Sequence, residues 1–292
     1  MKLNILFPCD YFEKHQVDAD FRGEYEMAKL VGFDCYLLDV QKFEEEALPI
    51  IYPEVENITL LYRGWMMQDY LYINFAYRLK NLYKVKLMVT PYGYREMHYF
   101  NYAYPAIKHR TPKMLYANPG YFDFPLIKKT FKDFFIMKDN VKSVKGFDFP
   151  SKIPVDISEK EFNALVLKFI EIRGKLFAGQ IILKQFVNLK KYGDKTNEFR
   201  AFYFLNELLT LSRNSNQPEN VNQPLESLVR EVSTLFASQF FTVDFAELET
   251  GEWMVLETGD GQVSGLSPNQ NILEFYTKMS KIEPIDMNDI SA

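Results

Sequence analysis

The sequence predicts an α/β N-terminal lobe followed by an α+β unit. In the first 111 residues, short apolar runs alternate with helical patterns, which is typical of a small parallel sheet with covering helices. Farther along, strand patterns follow one another directly, as in antiparallel hairpins. Between them, HRTPKML (109–115) carries a proline and a basic cluster. We therefore expect one lobe over residues 1–111 and the second unit over residues 112–292.

The elements of the N-terminal lobe follow from apolar periodicity. Strands are predicted at KLNILF, CYLLDV, ITLLYRGW and VKLMVT. Helices are predicted at EYEMAKLVG and YLYINFAYRLKNL.

The second unit begins with the strand FFIMK, a polar loop DNVKSVKGFDFP and a helix over residues 158–175. One face of that helix is apolar at positions three and four residues apart, from Phe162 to Ile170. The strands IILKQFV, EFRAFYF and LLTLSRN are then expected as antiparallel neighbours. A helix with an apolar stripe from Leu225 to Phe236, a hairpin, and a helix over residues 269–279 complete the chain.

Composition excludes several classes of function. The net charge of −5 argues against nucleic acid as a partner, because such binding needs a basic surface. No apolar run is long enough for a membrane span, and the N-terminus lacks a signal-peptide core, so we expect a cytoplasmic protein without a membrane partner. Three histidines and two cysteines, without metal-site or triad spacing, disfavour zinc sites and nucleophilic triads.

The hairpin VDFAELETGEWMVLETGDG carries two carboxylates that need an explanation. A two-residue turn at Thr250 and Gly251, with Glu249 opposite Glu252, would place Asp244 directly across from Glu257. Like charges in such a pair destabilise a sheet.

One hairpin upstream, a turn at Asn206 and Glu207 would likewise place Arg200 opposite Arg213. A phosphate-bearing ligand with divalent cations would reconcile both pairs, because Arg binds phosphate oxygens and carboxylates bind Mg²⁺. The alternative is that all four are ordinary surface charges.

Lysines supply further candidates. Lys138 ends an apolar run, so we expect it at the exposed end of a strand. The following loop, with Lys142, Ser143, Lys145 and Gly146, suits a flap over phosphates.

Two more charged residues stand beside these elements. Lys184 lies within an apolar strand, either as an edge residue reaching solvent or as a charge held for a ligand. Asp260, in the polar loop after the second hairpin, could complete a metal site with Asp244 and Glu257.

These motifs occur in the order found in ATP-grasp enzymes. MKDNVKSVKGFD, the segment from KLFAG to RAFYF, LSRNSNQ, and FFTVDFAELETGEWMVLETGDGQVSGL resemble the bacterial and phage ATP-grasp clade named for two arginines and a lysine, with FPCDYF and YRGWMM upstream. The resemblance covers nearly the whole chain. It implies an α+β ATP-grasp fold in which two subdomains, about 112–190 and 191–292, grip ATP.

The resemblance also implies roles for individual residues. Arg200 and Arg213 would stabilise the transferred phosphoryl group, and Asp244, Glu257 and Asp260 would hold Mg²⁺. Where the family usually has Glu-x-Asn, this chain has Gly259 in place of Asn, so Asp260 or Gln262 would substitute. The residues implied to bind ATP are Lys138, Lys142, Ser143, Lys184, Gln185, Phe186, Val187 and Glu198.

The resemblance implies an ATP- and Mg²⁺-dependent ligase that activates a carboxylate as an acyl phosphate for attack by an amine. The carboxylate would belong to a small molecule, a peptide or a protein. An ATP-dependent phosphotransferase and a non-catalytic nucleotide-binding module are the alternatives. Arg63, Asp10 and Tyr11, just past predicted strand ends, are candidates for the acceptor pocket.

Overall fold

The N-terminal part of the protein is a five-stranded, mainly parallel sheet with helices. The computed structural model describes residues 3–144 and 149–282. The elements are β1 (Asn4–Pro8), α1 (Arg22–Val31), β2 (Asp34–Leu38), α2 (Val40–Glu46), β3 (Ile51–Tyr52), β4 (Thr59–Tyr62), α3 (Asp69–Tyr83), β5 (Lys86–Leu87), α4 (Pro91–His98) and α5 (Phe100–Ile107). The strand order is β3-β2-β1-β4-β5, with only β3 antiparallel to its neighbour. The predicted parallel layer is confirmed.

A second, antiparallel sheet follows, in the order β6-β9-β7-β8. Its elements are β6 (Met114–Ala117), α6 (Phe124–Thr130), β7 (Phe134–Asp139), β8 (Ile153–Pro154), α7 (Glu159–Arg173) and β9 (Ile181–Gln185). The prediction that β9 neighbours the strand EFRAFYF is wrong. Instead β9 lies between β6 and β7, because β6, which the sequence patterns did not reveal, supplies its second partner.

The C-terminal part is a four-stranded antiparallel sheet in the order β13-β12-β14-β15. A two-stranded ribbon, β10 with β11, precedes it. The elements are β10 (Lys191–Tyr192), β11 (Lys195–Thr196), β12 (Glu198–Phe204), β13 (Glu207–Arg213), α8 (Glu226–Val232), β14 (Phe240–Glu247), β15 (Trp253–Asp260) and α9 (Ile272–Ser280).

Hydrophobic packing joins the sheets. One face of the C-terminal sheet, with Phe202, Phe204 and Phe240, shares a core with the N-terminal sheet and α9. The other face, with Tyr203 and Phe241, packs against α4, α5 and α8. The second sheet buries its own core beneath α7.

None of the helices over residues 3–144 and 149–282 has the length and apolar content of a membrane span.

Helix α7 begins with a reciprocal N-terminal cap, and its contribution to stability can be measured. Ser158 accepts a hydrogen bond from the backbone N–H of Glu161, while the Glu161 carboxylate accepts one from the backbone N–H of Ser158. We expect Ser158→Ala to lower the free energy of unfolding by about 1 kcal/mol, because one amide at the helix start loses its acceptor. Urea unfolding measures this, with the exposed Lys160→Ala as control. Equal midpoints for Ser158→Ala and wild type would contradict a stabilising cap.

Candidate active site

The β14/β15 hairpin places two carboxylates side by side. Asp244 is paired with Glu257, as predicted. The predicted turn is wrong, however: the N–H of Leu248 bonds the carbonyl of Glu252, so three residues rather than two make the turn and Glu249 does not face Glu252. Gly251 has a φ of 86°, which suits glycine in this turn. A bulge next to Asp244 adds one residue to β15, and this restores the predicted pair.

The β12/β13 hairpin differs from the prediction. Its turn lies at Leu205 and Asn206, with φ of 49° and 68°, one residue earlier than expected. A bulge compensates only in part, so Arg200 faces Ser212 and the predicted Arg200–Arg213 opposition is wrong.

On its other side Arg200 lies against Asp244. Its Nε and Nη2 each donate a hydrogen bond of 2.8 Å to the Asp244 carboxylate. Burial raises the pKa of Asp244, while the bonds to the Arg200 guanidinium act in the opposite direction. The guanidinium thus provides countercharge within the carboxylate pair.

The structure does not bring Arg213 to the carboxylates. Arg213 pairs with Phe199 in the sheet, so its side chain belongs to the opposite face from Arg200. Its guanidinium donates to the Gln217 carbonyl at 2.9 Å and pairs with Glu219 at 3.3 Å. A separate cleft of about 230 Å³ lies beside it.

A cavity of about 350 Å³ lies where the second sheet meets the C-terminal sheet. It gathers most of the predicted ATP-binding residues and both carboxylates. The cavity is lined by Pro112, Ile136, Lys138, Lys184, Gln185, Phe186, Val187, Leu189, Glu198, Asp244, Leu256 and Glu257. Phe186 and Val187 were predicted, but the other apolar members were not, because each resembles an ordinary core residue in the sequence: Pro112, Ile136, Leu189 and Leu256.

Both lysines in the cavity are buried and contact β15. Lys138 is 4% exposed, because β7 continues through Asp139, so the predicted exposed strand end is wrong. Its Nζ lies 2.8 Å from Glu257 Oε1. Lys184 lies on β9, which has neighbours on both sides, so it is not an edge residue. Its Nζ donates to the carbonyl of Leu256.

Phe100, at the start of α5, is a residue that the sequence did not reveal. Its ring lies 4.1 Å from Lys184 Nζ and 5.7 Å from Lys138 Nζ. A π face attracts cations and replaces part of their lost hydration. Burial nevertheless lowers the pKa of Lys184 to about 7, and the Lys138 charge adds to this effect.

The segment after β9 forms one wall of the cavity. The side chain of Gln185 is held by carbonyls of Lys132 and Phe134 at 2.7 and 2.9 Å. The N–H of Phe186 bonds the carbonyl of Phe134. Within the described residues, Val187 makes no backbone hydrogen bond.

The predicted phosphate flap is described only at its start. Asp139 accepts hydrogen bonds from the N–H groups of Val141 and Lys142 and is held by Arg173 at 2.8 Å. This turns the chain so that Ser143 bridges back to Lys138. Ser143 therefore lies beside the Lys138 backbone, but neither Lys142 nor Ser143 lines the cavity. Lys145 and Gly146 lie outside the described residues.

Asp260 and Gln262 are not placed with the carboxylate pair. Asp260 pairs with Phe241, so it belongs to the sheet face opposite Glu257. It is fully buried, and burial raises its pKa to about 8. Gln262 donates to Asp260 at 3.1 Å and to Tyr72 at 3.0 Å. Asp260 therefore does not lie on the sheet face that carries Asp244 and Glu257.

Gly259 shares the face of Glu257, and a residue with a side chain would fit there only if the neighbouring hydroxyls moved. A Cβ at Gly259 would lie 2.6 Å from Thr242 Oγ1 and 2.7 Å from Ser264 Oγ. Those two hydroxyls are 3.0 Å apart and hydrogen bonded.

The remaining carboxylates fit a magnesium ion that is shared with phosphates. Asp244 and Glu257 supply two hard oxygen donor groups on one sheet face, and Mg²⁺ usually binds through one or two carboxylates plus substrate phosphates. Across residues 3–144 and 149–282, no group of three or more His, Cys, Asp or Glu forms a metal cluster.

Comparison with known proteins identifies the fold family. The model of the ATP-grasp domain, R2K clade family 3, matches residues 119–279, more than half of the 292 residues. The chain belongs to this ATP-grasp family. The resemblance and the fold class predicted from the sequence are confirmed. Among curated proteins, none matches the sequence significantly.

Several solved ATP-grasp structures share the fold at low sequence identity. The RimK domain protein ATP-grasp from Sphaerobacter thermophilus is 13% identical, with a TM-score of 0.63 over 95% of this chain and 98% of that chain. D-cycloserine synthetase DcsG is 13% identical, with a TM-score of 0.62 over 96% and 99%. ATP-grasp ligase PsnB, complexed with minimal precursor, Mg and ADP, is 9% identical, with a TM-score of 0.58 over 94% and 95%. Family and fold together support the predicted ATP-dependent ligase.

The buried charge of Lys184 leads to a prediction about stability. Because its pKa falls from 10.5 to about 7 in the folded protein, the unfolded chain binds more protons between these values. Stability should therefore rise with pH across this range, by at most about 1.4 kcal/mol per pH unit from this group. Lys184→Met should remove that contribution and stabilise the protein most at pH 7 and below.

Urea unfolding between pH 6.5 and 9.5 would compare wild type, Lys184→Met and the exposed Lys191→Met. We expect Lys191→Met to keep the wild-type slope. An equal pH slope in Lys184→Met and wild type would contradict the lowered pKa.

Proposed function

We propose that this protein is an ATP- and Mg²⁺-dependent ligase that activates a carboxylate as an acyl phosphate for capture by an amine. The observation that carries the proposal is the single cavity containing Lys138, Lys184, Asp244 and Glu257, with apolar walls beside them. Positive and negative groups together suit a nucleotide phosphate chain accompanied by a metal ion, and apolar walls suit a base.

The roles of the residues follow from their charges and positions. The wall formed by the segment from Gln185 to Val187 would bind adenine, with the peptide groups of Val187 as hydrogen-bond partners. Lys138 and Lys184 would contact phosphates, exchanging their bonds to Glu257 and to the Leu256 carbonyl for phosphate oxygens. Arg200 would stabilise charge that develops on the transferred phosphoryl group.

Asp244 and Glu257 would hold Mg²⁺. When bound, the ion would neutralise phosphate charge and fix the orientation of the phosphate chain. Arg200 and Lys138 already offset these carboxylates electrostatically, so the residues are kept together on one face. Asp260 and Arg213 are not included in the proposed centre.

The proposed reaction has two steps, phosphorylation of a carboxylate and capture of the acyl phosphate by an amine. A substrate carboxylate oxygen attacks the γ-phosphorus of ATP, the bond to the β,γ-bridging oxygen breaks, and ADP leaves. An amine then attacks the acyl carbon, loses a proton, and expels inorganic phosphate that retains one carboxylate oxygen. Positioning and charge neutralisation suffice for such chemistry, so no nucleophilic side chain is needed.

The fold relatives suggest the substrate class. PsnB is an ATP-grasp ligase complexed with a minimal precursor, and DcsG is a D-cycloserine synthetase. We infer that the substrates here are a peptide or amino-acid carboxylate and an amine.

Metal binding is tested first. We expect Asp244→Asn and Glu257→Gln each to weaken Mg²⁺-dependent binding of a non-hydrolysable ATP analogue at least about tenfold, because each removes an anionic oxygen from the metal. Calorimetric titration with and without Mg²⁺ measures this, with the exposed Glu252→Gln beside the hairpin turn as the matched control. Unchanged affinity in both variants would count against the metal assignment.

Product analysis separates ligase from phosphotransferase. With a panel of amino acids and peptides labelled with ¹⁸O in their carboxyl groups, a ligase transfers one ¹⁸O to inorganic phosphate, because the acyl phosphate collapses with that oxygen. Hydroxylamine should trap the same intermediate as a hydroxamate. A stable phosphorylated product, with no ¹⁸O-labelled phosphate released, would overturn the ligase proposal in favour of phosphotransfer.

A further inference from the structure

Arg63, directly after β4, is buried in a polar junction between the first and last parts of the chain. Only 3% of it is exposed. Its Nε and Nη2 lie 2.8 and 2.7 Å from the Glu24 carboxylate. The hydroxyl of Tyr276 donates to the same carboxylate at 2.7 Å. The guanidinium charge is therefore paired away from solvent, and Arg63 cannot line an open acceptor pocket as the sequence had suggested.

The remaining nitrogen of Arg63 holds a loop. Its Nη1 lies within hydrogen-bond distance of three backbone carbonyls after β15, those of Gly261 and Gln262 at 3.1 Å and of Ser264 at 2.7 Å. The N–H of Gly64 also donates to the Gln262 carbonyl, at 3.0 Å. One planar guanidinium thus connects a carboxylate from α1 to several carbonyls of the 261–264 loop.

The next carbonyl of this loop belongs to the proposed catalytic centre. Arg200 Nη1 donates to the carbonyl of Gly265 at 3.0 Å, while its other nitrogens bind Asp244. In the same loop the Ser264 hydroxyl bonds Thr242, on the strand that carries Asp244. The position of the loop therefore helps to set the plane of the Arg200 guanidinium.

We propose that Arg63 is a positioning residue for Arg200. It holds the 261–264 loop so that the Gly265 carbonyl and the Asp244 carboxylate together orient the Arg200 guanidinium. This inference rests on the proposed function, in which Arg200 acts on the transferred phosphoryl group. Arg63 and Glu24 both lie outside residues 119–279, the segment matched by the family model.

Arginine is required for this role by its geometry. The guanidinium offers five N–H donors in a fixed plane, which allows it to bind Glu24 and the loop carbonyls at once. A lysine ammonium keeps the charge but concentrates three donors at one atom. Arg63→Lys should therefore preserve the ion pair with Glu24 while releasing part of the loop.

A double-mutant cycle on ATP turnover tests whether Arg63 acts through Arg200. We expect Arg63→Lys to lower turnover about tenfold in the wild-type background, with little change in KM for ATP, because misorientation affects the transition state more than binding. In the Arg200→Lys background the same change should cost less than about twofold. Equal losses in the two backgrounds would overturn the proposal, because they would indicate a general structural effect.

Two further variants make the cycle decisive. Glu24→Gln removes the partner that fixes the plane of Arg63, so we expect a smaller loss that again disappears in the Arg200→Lys background. It replaces Arg63→Lys in the cycle if that variant does not fold. The exposed Arg78→Lys is the matched control and should change turnover in neither background. Additive losses for both Arg63→Lys and Glu24→Gln would refute positioning.

A spectroscopic readout separates this inference from the proposed function. The Nε–H resonance of Arg200, assigned by its loss in Arg200→Lys, should shift or broaden in Arg63→Lys without any nucleotide present. If wild type shows no turnover, the ligase proposal fails while this resonance still tests the coupling. An unchanged resonance in folded Arg63→Lys would overturn the positioning role.

Discussion

The site depends on one electrostatic arrangement, in which two carboxylates on adjacent strands are offset by cations from different sheets. Arg200 neutralises Asp244 within the C-terminal sheet, and Lys138 reaches Glu257 from the second sheet. The bulge in β15 contributes as well, because Leu256 has no partner on β14 and its carbonyl accepts from Lys184. The seam between the sheets is therefore held by polar groups that ATP and Mg²⁺ could also bind. In the proposed function, phosphate groups would take over the bonds of the lysines and Mg²⁺ would bind the carboxylates, so opposite charges would stay paired in the cavity.

The sequence predicted those parts of the fold and the site that local patterns determine, and missed those that tertiary packing determines. The parallel layer and the Asp244–Glu257 pair were predictable, since apolar periodicity and hairpin register carry them. That pair was nevertheless reached through a wrong turn, and an unforeseen bulge cancelled the error. In the other hairpin the errors did not cancel, so Arg213 moved to the opposite face from Arg200. Side chains alternate between the two faces of a strand, so a register shift by one residue moves each side chain to the opposite face. Phe100 and the wall residues Pro112, Ile136, Leu189 and Leu256 left no local signal, because only tertiary packing brings them to the lysines.

The departure from the usual Glu-x-Asn pattern has a steric explanation. The space next to Gly259 is filled by the hydroxyls of Thr242 and Ser264, which bond each other across the strand and loop. An Asn at this position would collide with both oxygens, so the glycine and the hydroxyl pair belong together. The proposed metal site consequently has two protein carboxylates, and the neighbouring position is used to attach the 261–264 loop to β14 instead. A third anionic ligand is not needed when phosphates supply further oxygens.

Residues of the N-terminal part of the chain contact both the 261–264 loop and the lysines of the proposed active site. The family model begins at residue 119, yet Phe100 contacts both cavity lysines and Arg63 binds the loop beside Arg200. The shared apolar core joins Leu6 and Tyr62 to Phe202 and Phe240, and thereby packs the N-terminal sheet against the C-terminal sheet. A buried ion pair such as Arg63–Glu24 adds little net stability over an apolar replacement, but its directional bonds fix one arrangement among many. The proposed orientation of Arg200 is a role that such a pair can serve and that hydrophobic packing, which has no direction, cannot.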